Sequence, residues 1–204
     1  LYNYLLTQSS SLKDNHHNQE NKFYLRIEDT DQKRLKQEAI SDLYQSLKWL
    51  GITPSNNIDK YVQSKRTHLY IKYVEQLREK NHAYACFCSS DRLKQLKQSQ
   101  ESQGLLAKYD KLCSTLTLDE QNKRIANQES YVIRHRIPLT GTTQVEDIIR
   151  GTINFPNKQL DDTILLKSDG MPSYHLCNVV DDYLMKITHV IRGEEWIPSL
   201  PKHI

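Results

Sequence analysis

Three carboxylates lie close together in the segment FYLRIEDTDQKR, residues 23 to 34. Apolar and polar residues alternate before them, which predicts a β-strand that ends near Ile27. Glu28, Asp29 and Asp31 would then follow the end of that strand. Because like charges repel, such a group needs either the free N–H donors at the start of a helix or a bound cation. The segment therefore predicts a helix cap or a site for a cationic group.

A second group of charged residues follows another apolar run. Residues 187 to 193 (ITHVIRG) predict a buried strand, and Arg192, Glu194 and Glu195 lie at its end or just beyond it. In an open parallel sheet, ligands bind beyond the carboxyl ends of the strands. If the two strands are neighbours, these residues and Glu28 line one cleft, and a cleft with both signs of charge suits a zwitterion. The alternative is an ordinary helix cap and a surface turn, and the residues by themselves leave both possibilities open.

The elements around these two groups predict an α/β fold. Apolar residues recur at helical spacing between Asp31 and Gly51, which predicts a helix that ends at a C′ glycine. Asp29 and Asp31 are expected to interact with the start of this helix. Beyond it we predict two more helices and then a group of short strands (67–80, 89–103 and 131–166). The middle of the chain thus differs in character from its two ends, which indicates an insertion within an α/β domain.

The composition is that of an ordinary soluble globular protein. The chain has 204 residues, of which 37% are hydrophobic and 26% charged, and its net charge of +3 permits a polyanionic partner without requiring one. No apolar run approaches the roughly 18 residues of a membrane span. The four cysteines are too few and too uneven for a disulfide framework, which predicts the cytoplasm or the matrix of an organelle. The chain begins without Met inside an apolar segment, so we expect it to be part of a longer protein.

Five segments, in this order and spacing, resemble the glutamyl-tRNA synthetases, which are class I aminoacyl-tRNA synthetases. They are LRIEDTD, LKWLGI, CFCSSDRL, DGMPSYHLCNVVDD and ITHVIRGEEW, and the resemblance runs from residue 1 to residue 204. It implies a Rossmann-like parallel-sheet catalytic core interrupted by an α+β insertion that binds the tRNA acceptor stem. The corresponding division is 1–67 and 173–204 for the catalytic domain and 68–172 for the insertion.

The resemblance also implies which residues bind glutamate. Glu28 would hold the α-ammonium group, Tyr174 and Arg192 would contact the side-chain carboxylate, and Asn178 would orient the backbone end. A guanidinium pairs with a carboxylate through two parallel hydrogen bonds. Glutamine cannot offer a second anionic oxygen, so its binding would leave Arg192 buried without its ionic partner. Arg192 is therefore the expected discriminator between the two amino acids.

The implied reaction uses ATP, as its Mg²⁺ complex, to activate glutamate and then transfers it to the 3′ end of tRNA-Glu. Glu195 and Trp196 would lie on the ATP side of the cleft, and Lys108, Arg134 and Arg136 would contact tRNA phosphates. The HIGH-type and KMSKS-type motifs of the family are missing from these residues. We therefore expect no catalytic residue in this segment, which should be inactive alone. We also expect the whole protein to be a monomer that does not associate with a membrane.

Two alternatives to a working enzyme remain at this point. The chain could belong to a catalytically silent module that binds tRNA acceptor ends or glutamate. It could also belong to the glutamyl-queuosine tRNA synthetases, a related group that modifies tRNA, although the motif IEDTD follows the glutamyl pattern. The sequence on either side of the chain would distinguish these possibilities from the enzyme.

Three cysteines have the spacing of a structural zinc site known in some family members. Cys86, Cys88 and Cys113 match its Cys-x-Cys pair and its third cysteine, but the fourth position is Thr115. Structural zinc sites are normally closed by four ligands. The missing ligand therefore counts against bound zinc. Cys177, in an apolar run, is expected in the core.

Overall fold

The computed structural model describes residues 1–9, 21–31 and 37–204, and they form two compact units. Unit 1 comprises Leu1–Arg66 and Ile187–Arg192, and unit 2 comprises Thr67–Lys186 and Gly193–Ile204. The polar run at residues 9–21 (SSSLKDNHHNQEN) has no apolar periodicity, which predicts a surface loop, and most of it lies outside the described residues. The start of the helix predicted after Asp31 also lies outside them. No helix in the described ranges is both long and apolar enough to cross a membrane. The three-part domain division stays a prediction.

The described residues of unit 1 form two α-helices, α1 (Tyr2–Gln8) and α2 (Gln37–Trp49), and two short 3-10 helices (Ile58–Tyr61 and Gln63–Arg66). The predicted end of α2 is confirmed at Gly51. This residue has φ +67°, and the N–H of Ile52 donates to the carbonyl of Leu47 at 2.9 Å. A left-handed glycine followed by such a hydrogen bond is a common way to end a helix.

Residues 23–28 do not form the regular strand that we predicted. Only Ile27 forms a bridge, which is parallel and pairs it with Val62. Leu25 instead exchanges hydrogen bonds with the side chain of Asn56, at 2.9 and 2.8 Å. The partner segment contains two 3-10 helices, and their turns interrupt the row of backbone groups that a strand ladder needs. Residues 21–31 therefore have no regular secondary structure apart from the bridge at Ile27, and a few hydrogen bonds hold them in place.

The buried strand predicted over residues 187–191 is also wrong. The structure has irregular chain there, and the side chains of Val190 and Ile191 are 55% and 46% exposed. Within the described part of the protein, no strand pairs with this run. An apolar run has strand propensity, but a strand forms only where a neighbour supplies hydrogen-bond partners.

Unit 2 contains four α-helices, five strands and three 3-10 helices among the described residues. The helices are α3 (Thr67–Glu79), α4 (Ser90–Ser102), α5 (Leu118–Ala126) and α6 (Tyr174–Met185). The strands are β1 (Ala83–Cys86), β2 (Val132–His135), β3 (Thr142–Asp147), β4 (Gly151–Pro156) and β5 (Ile164–Leu166). The 3-10 helices are Leu112–Thr115, Asn157–Gln159 and Glu194–Lys202.

The strands of unit 2 form two antiparallel sheets. One has the order β1-β2-β5, and the other is the hairpin β3-β4. The chain therefore folds as an α/β protein, but the parallel sheet that we expected does not occur among the described strands. Helix α5, which we did not predict, begins at a capping box of Thr117 and Glu120. The pattern Thr-x-x-Glu is a recognised helix start and could have revealed it.

The core of unit 2 lies between the three-stranded sheet and the helices α3 and α6. Tyr70 and Val74 of α3 and Cys177 of α6 are fully buried in it together with Ile133 of β2. The core position of Cys177 is thus confirmed. The Tyr70 hydroxyl also donates to the buried carboxylate of Asp181 at 2.8 Å. This hydrogen bond between α3 and α6 fixes the helix that carries two of the predicted glutamate-binding residues.

Candidate functional site

Helix α6 carries Tyr174 and Asn178 one turn apart, so both residues lie on the same face. The N–H of Ser173, the N-cap residue, donates to the carbonyl of Leu165 in β5 at 2.8 Å, which attaches the start of the helix to the sheet. Asn178 is only 1% exposed, and its Oδ1 has no hydrogen-bond partner among the residues that the structure describes. A buried amide oxygen without a donor is costly in free energy. This face of α6 is therefore suited to a polar ligand.

The 3-10 helix Glu194–Lys202 lies against the start of α6. The rings of Tyr174 and Trp196 pack with their centroids 5.2 Å apart. The carboxylate of Glu195 folds back over Gly193 so closely that a Cβ at position 193 would collide with it. Arg150, in the turn that connects β3 and β4, forms an ion pair with Glu194, with 3.0 Å between Nη2 and Oε2. Unit 2 thus brings the predicted residue Tyr174 together with Trp196 and fixes the adjacent Glu195.

The predicted residues Glu28 and Arg192 belong to unit 1. Glu28 is partly exposed, and its Oε1 accepts a hydrogen bond from Nη2 of Arg26 at 2.9 Å. Arg192 ends the irregular run 187–192. The acid and the guanidinium thus share one unit, whereas Tyr174, Asn178, Glu195 and Trp196 belong to the other. The roles of all six residues stay predictions.

Asp29 has a role in the fold that the sequence did not indicate. Its carboxylate is 7% exposed and accepts hydrogen bonds from the N–H of Ser64 at 2.8 Å and from the Ser64 hydroxyl at 2.5 Å. These bonds attach the acidic segment to the second 3-10 helix of unit 1. A carboxylate with such partners is stable without a cationic ligand.

The residues predicted to contact tRNA phosphates differ in exposure. Arg134 is 7% exposed, donates to the carbonyl of Asp162 at 2.9 Å, and lies over the Tyr109 ring at 4.1 Å. Arg136 is half-buried and donates to the carbonyl of Ser114 at 2.6 Å. Both guanidinium groups therefore have partners inside the fold. Lys108 donates to the carbonyl of Lys158 at the surface, at 3.0 Å. The tRNA contacts of all three stay predictions.

A buried carboxylate, Asp162, organises the polar interior next to β1 and β2. It is fully buried and accepts hydrogen bonds from Lys111 Nζ at 2.6 Å, from the Tyr84 hydroxyl at 2.7 Å and from the N–H of Ile137 at 3.1 Å. Burial and the hydrogen bond to Asp162 raise the pKa of Tyr84. Lys111 has φ +57°, a left-handed conformation that only a few non-glycine residues adopt. The ammonium group of Lys111 supplies the positive charge that this buried carboxylate requires.

Three thiols converge in unit 2 although they come from different elements. Cys86 ends β1, Cys88 follows two residues later, and Cys113 lies in the 3-10 helix Leu112–Thr115. Their sulfur atoms all lie within 4.8 Å of one another, and the Cys88 and Cys113 sulfurs are 3.7 Å apart. The spacing inferred from the sequence thus corresponds to a real cluster of potential metal ligands.

A tyrosine hydroxyl adjoins this thiol cluster. Tyr109 Oη lies 3.3 Å from Cys86 Sγ and 3.4 Å from Cys88 Sγ, and it accepts a hydrogen bond from the N–H of Cys113 at 3.0 Å. Thr115, which holds the fourth position in the sequence pattern, is exposed and donates to the carbonyl of Leu112 within its own turn. Tyr109 precedes Cys113 by four residues, and no sequence signal distinguished it from the other tyrosines.

The surroundings of the cluster favour an anionic sulfur. The contacts of Cys86 with Cys113 and with Tyr109 lower the pKa of Cys86, and the contact with Cys86 raises the pKa of Cys113. Arg92 of α4 donates to Cys88 Sγ at 3.5 Å and forms an ion pair with Asp110, which lowers the pKa of that carboxyl group. Three sulfur donors and one phenol oxygen make a set that zinc accepts in tetrahedral geometry.

Comparisons with known proteins agree with the resemblance found in the sequence. The sequence model of the catalytic domain of class I tRNA synthetases (E and Q) matches residues 6–204. A glutamate–tRNA ligase of Finegoldia magna is 43% identical over the whole chain, and one of Borreliella burgdorferi is 44% identical. The chain spans 43% and 41% of the lengths of these two relatives.

Solved structures give the same result for the fold. The crystal structure of a glutamate–tRNA ligase from Elizabethkingia meningosepticum, in complex with its amino acid, superposes on 99% of this chain with a TM-score of 0.87 and 35% identity. The glutamate–tRNA synthetase of Elizabethkingia anophelis gives a TM-score of 0.86 at the same identity. The chain covers 41% and 42% of these two structures.

Proposed function

Because the chain belongs to the catalytic-domain family of the class I tRNA synthetases for glutamate and glutamine, we propose that the protein containing it is a glutamate–tRNA ligase. The observation that carries the proposal is the match of the whole chain to ligases of this specificity at more than 40% identity. A silent binding module and the queuosine-modifying paralogue have less support, because these relatives are glutamate–tRNA ligases.

The proposed reaction has two steps. The α-carboxylate of glutamate attacks the α-phosphate of ATP, bound as its Mg²⁺ complex, and releases pyrophosphate. The acyl group then passes to the terminal adenosine of tRNA-Glu. Catalysis of this kind depends mainly on positioning and on electrostatic stabilisation. The residues of this chain contribute to positioning the amino acid, and groups elsewhere in the protein contribute to the handling of ATP.

The residues proposed to bind glutamate are those that the resemblance in sequence implies. Glu28 holds the α-ammonium group, Tyr174 and Arg192 hold the side-chain carboxylate, and Asn178 contacts the backbone end. The Oδ1 of Asn178 is buried and has no hydrogen-bond partner among the described residues, which supports its role, because an ammonium group of the ligand would supply the missing donor. Trp196, against the ring of Tyr174, supports a neighbouring position for ATP, with Glu195 beside it.

The finer architecture belongs to the same proposal. We propose that the catalytic domain of the full protein contains a Rossmann-like parallel sheet, and that unit 2 contains the insertion that binds the acceptor end of tRNA. The parallel bridge between Ile27 and Val62 supports the first statement. Lys108, at the surface, is the best placed of the three predicted phosphate contacts. A monomeric state and a cytoplasmic location stay predictions.

Charging of tRNA by the full protein tests the proposed function. Purified full-length protein should attach radiolabelled glutamate, but not glutamine, to transcribed tRNA-Glu in the presence of ATP and Mg²⁺. The 204-residue chain by itself should attach neither. If the full protein binds tRNA-Glu but charges it with no amino acid, the silent binding module becomes the better description.

A structural zinc ion is a second element of the proposal. Cys86, Cys88 and Cys113 would supply three ligands, and Tyr109 Oη the fourth, an oxygen ligand such as Asp and Glu provide elsewhere. The position of the Tyr109 hydroxyl, within 3.4 Å of two sulfurs, is the observation that favours it. The bound ion would link β1 to the 3-10 helix Leu112–Thr115 and take no part in the chemistry.

Replacing Tyr109 by phenylalanine should weaken zinc binding by at least about tenfold, in line with the loss of a supporting group at a metal site. Competition with a chromophoric chelator measures this affinity directly. Tyr131→Phe is the matched control, because Tyr131 packs against the Phe87 ring and lies outside the thiol cluster. Equal zinc affinities for Tyr109→Phe and wild type would remove Tyr109 from the ligand set.

A further inference from the structure

The geometry of the thiol cluster points to a second chemistry that does not involve a metal. We propose that Cys88 and Cys113 form an oxidisable pair that closes into a disulfide when the protein meets a peroxide. Their sulfurs are 3.7 Å apart and both thiols are reduced. A disulfide bond needs a sulfur separation of about 2 Å and compatible Cβ positions. A small movement of the two side chains would therefore bring the sulfurs to bonding distance.

Cys88 is the member of the cluster that an oxidant can reach. It is half-buried, whereas Cys86 and Cys113 are 1% and 5% exposed. Its sulfur accepts a hydrogen bond from Arg92, whose side chain is 34% exposed, so a polar path leads from solvent to this thiol. Oxidation at cysteine follows exposure and the presence of cationic neighbours. Cys88 is therefore the expected site of the first attack.

Cys113, and not Cys86, is the expected partner. Cys86 is paired with Val132 in the β1-β2 ladder, which fixes its backbone. Cys86 and Cys88 are also separated by only one residue, and a disulfide between such close residues would distort the chain. Cys113 approaches from a separate 3-10 helix, so its side chain can turn towards Cys88 without breaking a strand pair.

The proposed reaction balances with peroxide as the oxidant. The Cys88 sulfur attacks one peroxide oxygen, the O–O bond breaks, and Cys88 becomes a sulfenic acid while the first water leaves. The Cys113 sulfur then attacks the Cys88 sulfur, the S–O bond breaks, and the second water leaves with the proton of Cys113. The two thiols lose two electrons in total and the peroxide gains them. A thiol reductant reverses the result.

The disulfide and the proposed zinc ion exclude each other, because both use the same two sulfurs. Zinc should therefore protect the pair, and oxidation should release zinc. This inference does not depend on the ligase activity, since its readout is a bond between two cysteines. A protein that charges no tRNA would still test it.

Peptide mapping of the oxidised full chain tests the proposal. Zinc-free protein is treated with hydrogen peroxide, its remaining thiols are alkylated, and it is digested without reductant. We expect one linked peptide pair that contains Cys88 and Cys113 and disappears on reduction. Cys86 and the core residue Cys177 should remain reduced and be recovered in alkylated form. Equimolar zinc should slow the appearance of this pair by at least about tenfold, because coordinated sulfur is withheld from the oxidant.

Matched variants separate the pair from its neighbour. Cys86→Ser should still form the link, and Cys88→Ser should not. A Cys86–Cys113 link, sulfinic acid at Cys88 without any linked peptide, or resistance of all three thiols to peroxide would each overturn the proposal. Equal rates of disulfide formation with and without zinc would contradict the prediction that the disulfide and the zinc ion exclude each other. If a variant fails to fold, the peptide map of the oxidised wild-type protein tests the proposal by itself.

Discussion

Replacing Arg192 by alanine should severely impair the use of glutamate by the full protein. Removing one partner of a buried charge pair typically costs about 2–5 kcal/mol, since the other charge is left unpaired. Applied to the transition state, this corresponds to a loss of roughly 30- to 5000-fold in kcat/KM for glutamate. The measurement is steady-state charging of tRNA-Glu at varied glutamate concentration, with the KM for ATP followed alongside.

Arg192→Lys is the informative companion to this variant. A lysine keeps the positive charge but loses the planar pair of donors, so we expect partial activity and a raised KM for glutamate. The KM for ATP should change little in either variant. If Arg192→Ala charges tRNA with wild-type kcat and KM for glutamate, then Arg192 does not bind the substrate carboxylate, and discrimination against glutamine must come from other residues.

Replacing Lys111 by methionine should cause the largest loss of stability in unit 2. The substitution keeps the volume of the side chain but leaves the fully buried Asp162 without its ammonium partner. Breaking a buried ion pair in this way costs about 3–5 kcal/mol. Native-state hydrogen exchange at the amides of β1 and β2 measures the effect locally, which avoids the assumption that both units unfold together.

Lys123→Met provides the control for the loss of one lysine charge. Lys123 is exposed on α5, and substitutions at such surface positions change stability by no more than about 0.5 kcal/mol. Equal protection of the β2 amides in Lys111→Met and Lys123→Met would mean that Tyr84 and the N–H of Ile137 suffice to stabilise the buried carboxylate.

The sequence predicted elements well where the signal is local. Helix α3 and the end of α2 follow from apolar spacing and from Gly51, and the polar stretch 89–103, predicted as a helix that ends near Gly104, corresponds to α4. The runs 23–28 and 187–191 were misjudged, because strand formation depends on a neighbour that the pattern of one segment does not encode. Predicting a strand from alternation alone therefore assumes a partner.

The same distinction applies to the candidate sites. The resemblance to family members with a zinc site indicated that Cys86, Cys88 and Cys113 lie together, and the structure contains this cluster. Tyr109 was missed because a search of the sequence for metal ligands considers histidine and cysteine first. The pairing of Lys111 with Asp162 was missed for another reason: 51 residues separate them, and only the fold brings them together.

Lys111 also shows why a substitution chosen for backbone conformation alone can fail to increase stability. Its φ of +57° suits glycine, so a stabilising strategy based on backbone conformation would replace it by glycine. That substitution would relieve the main chain and at the same time remove the only ammonium group recorded for Asp162 among the described residues. Glycine would suit the positive φ at this residue but would not supply the positive charge beside Asp162. Engineered variants of this domain should therefore keep a long cationic side chain here despite the unfavourable backbone angle.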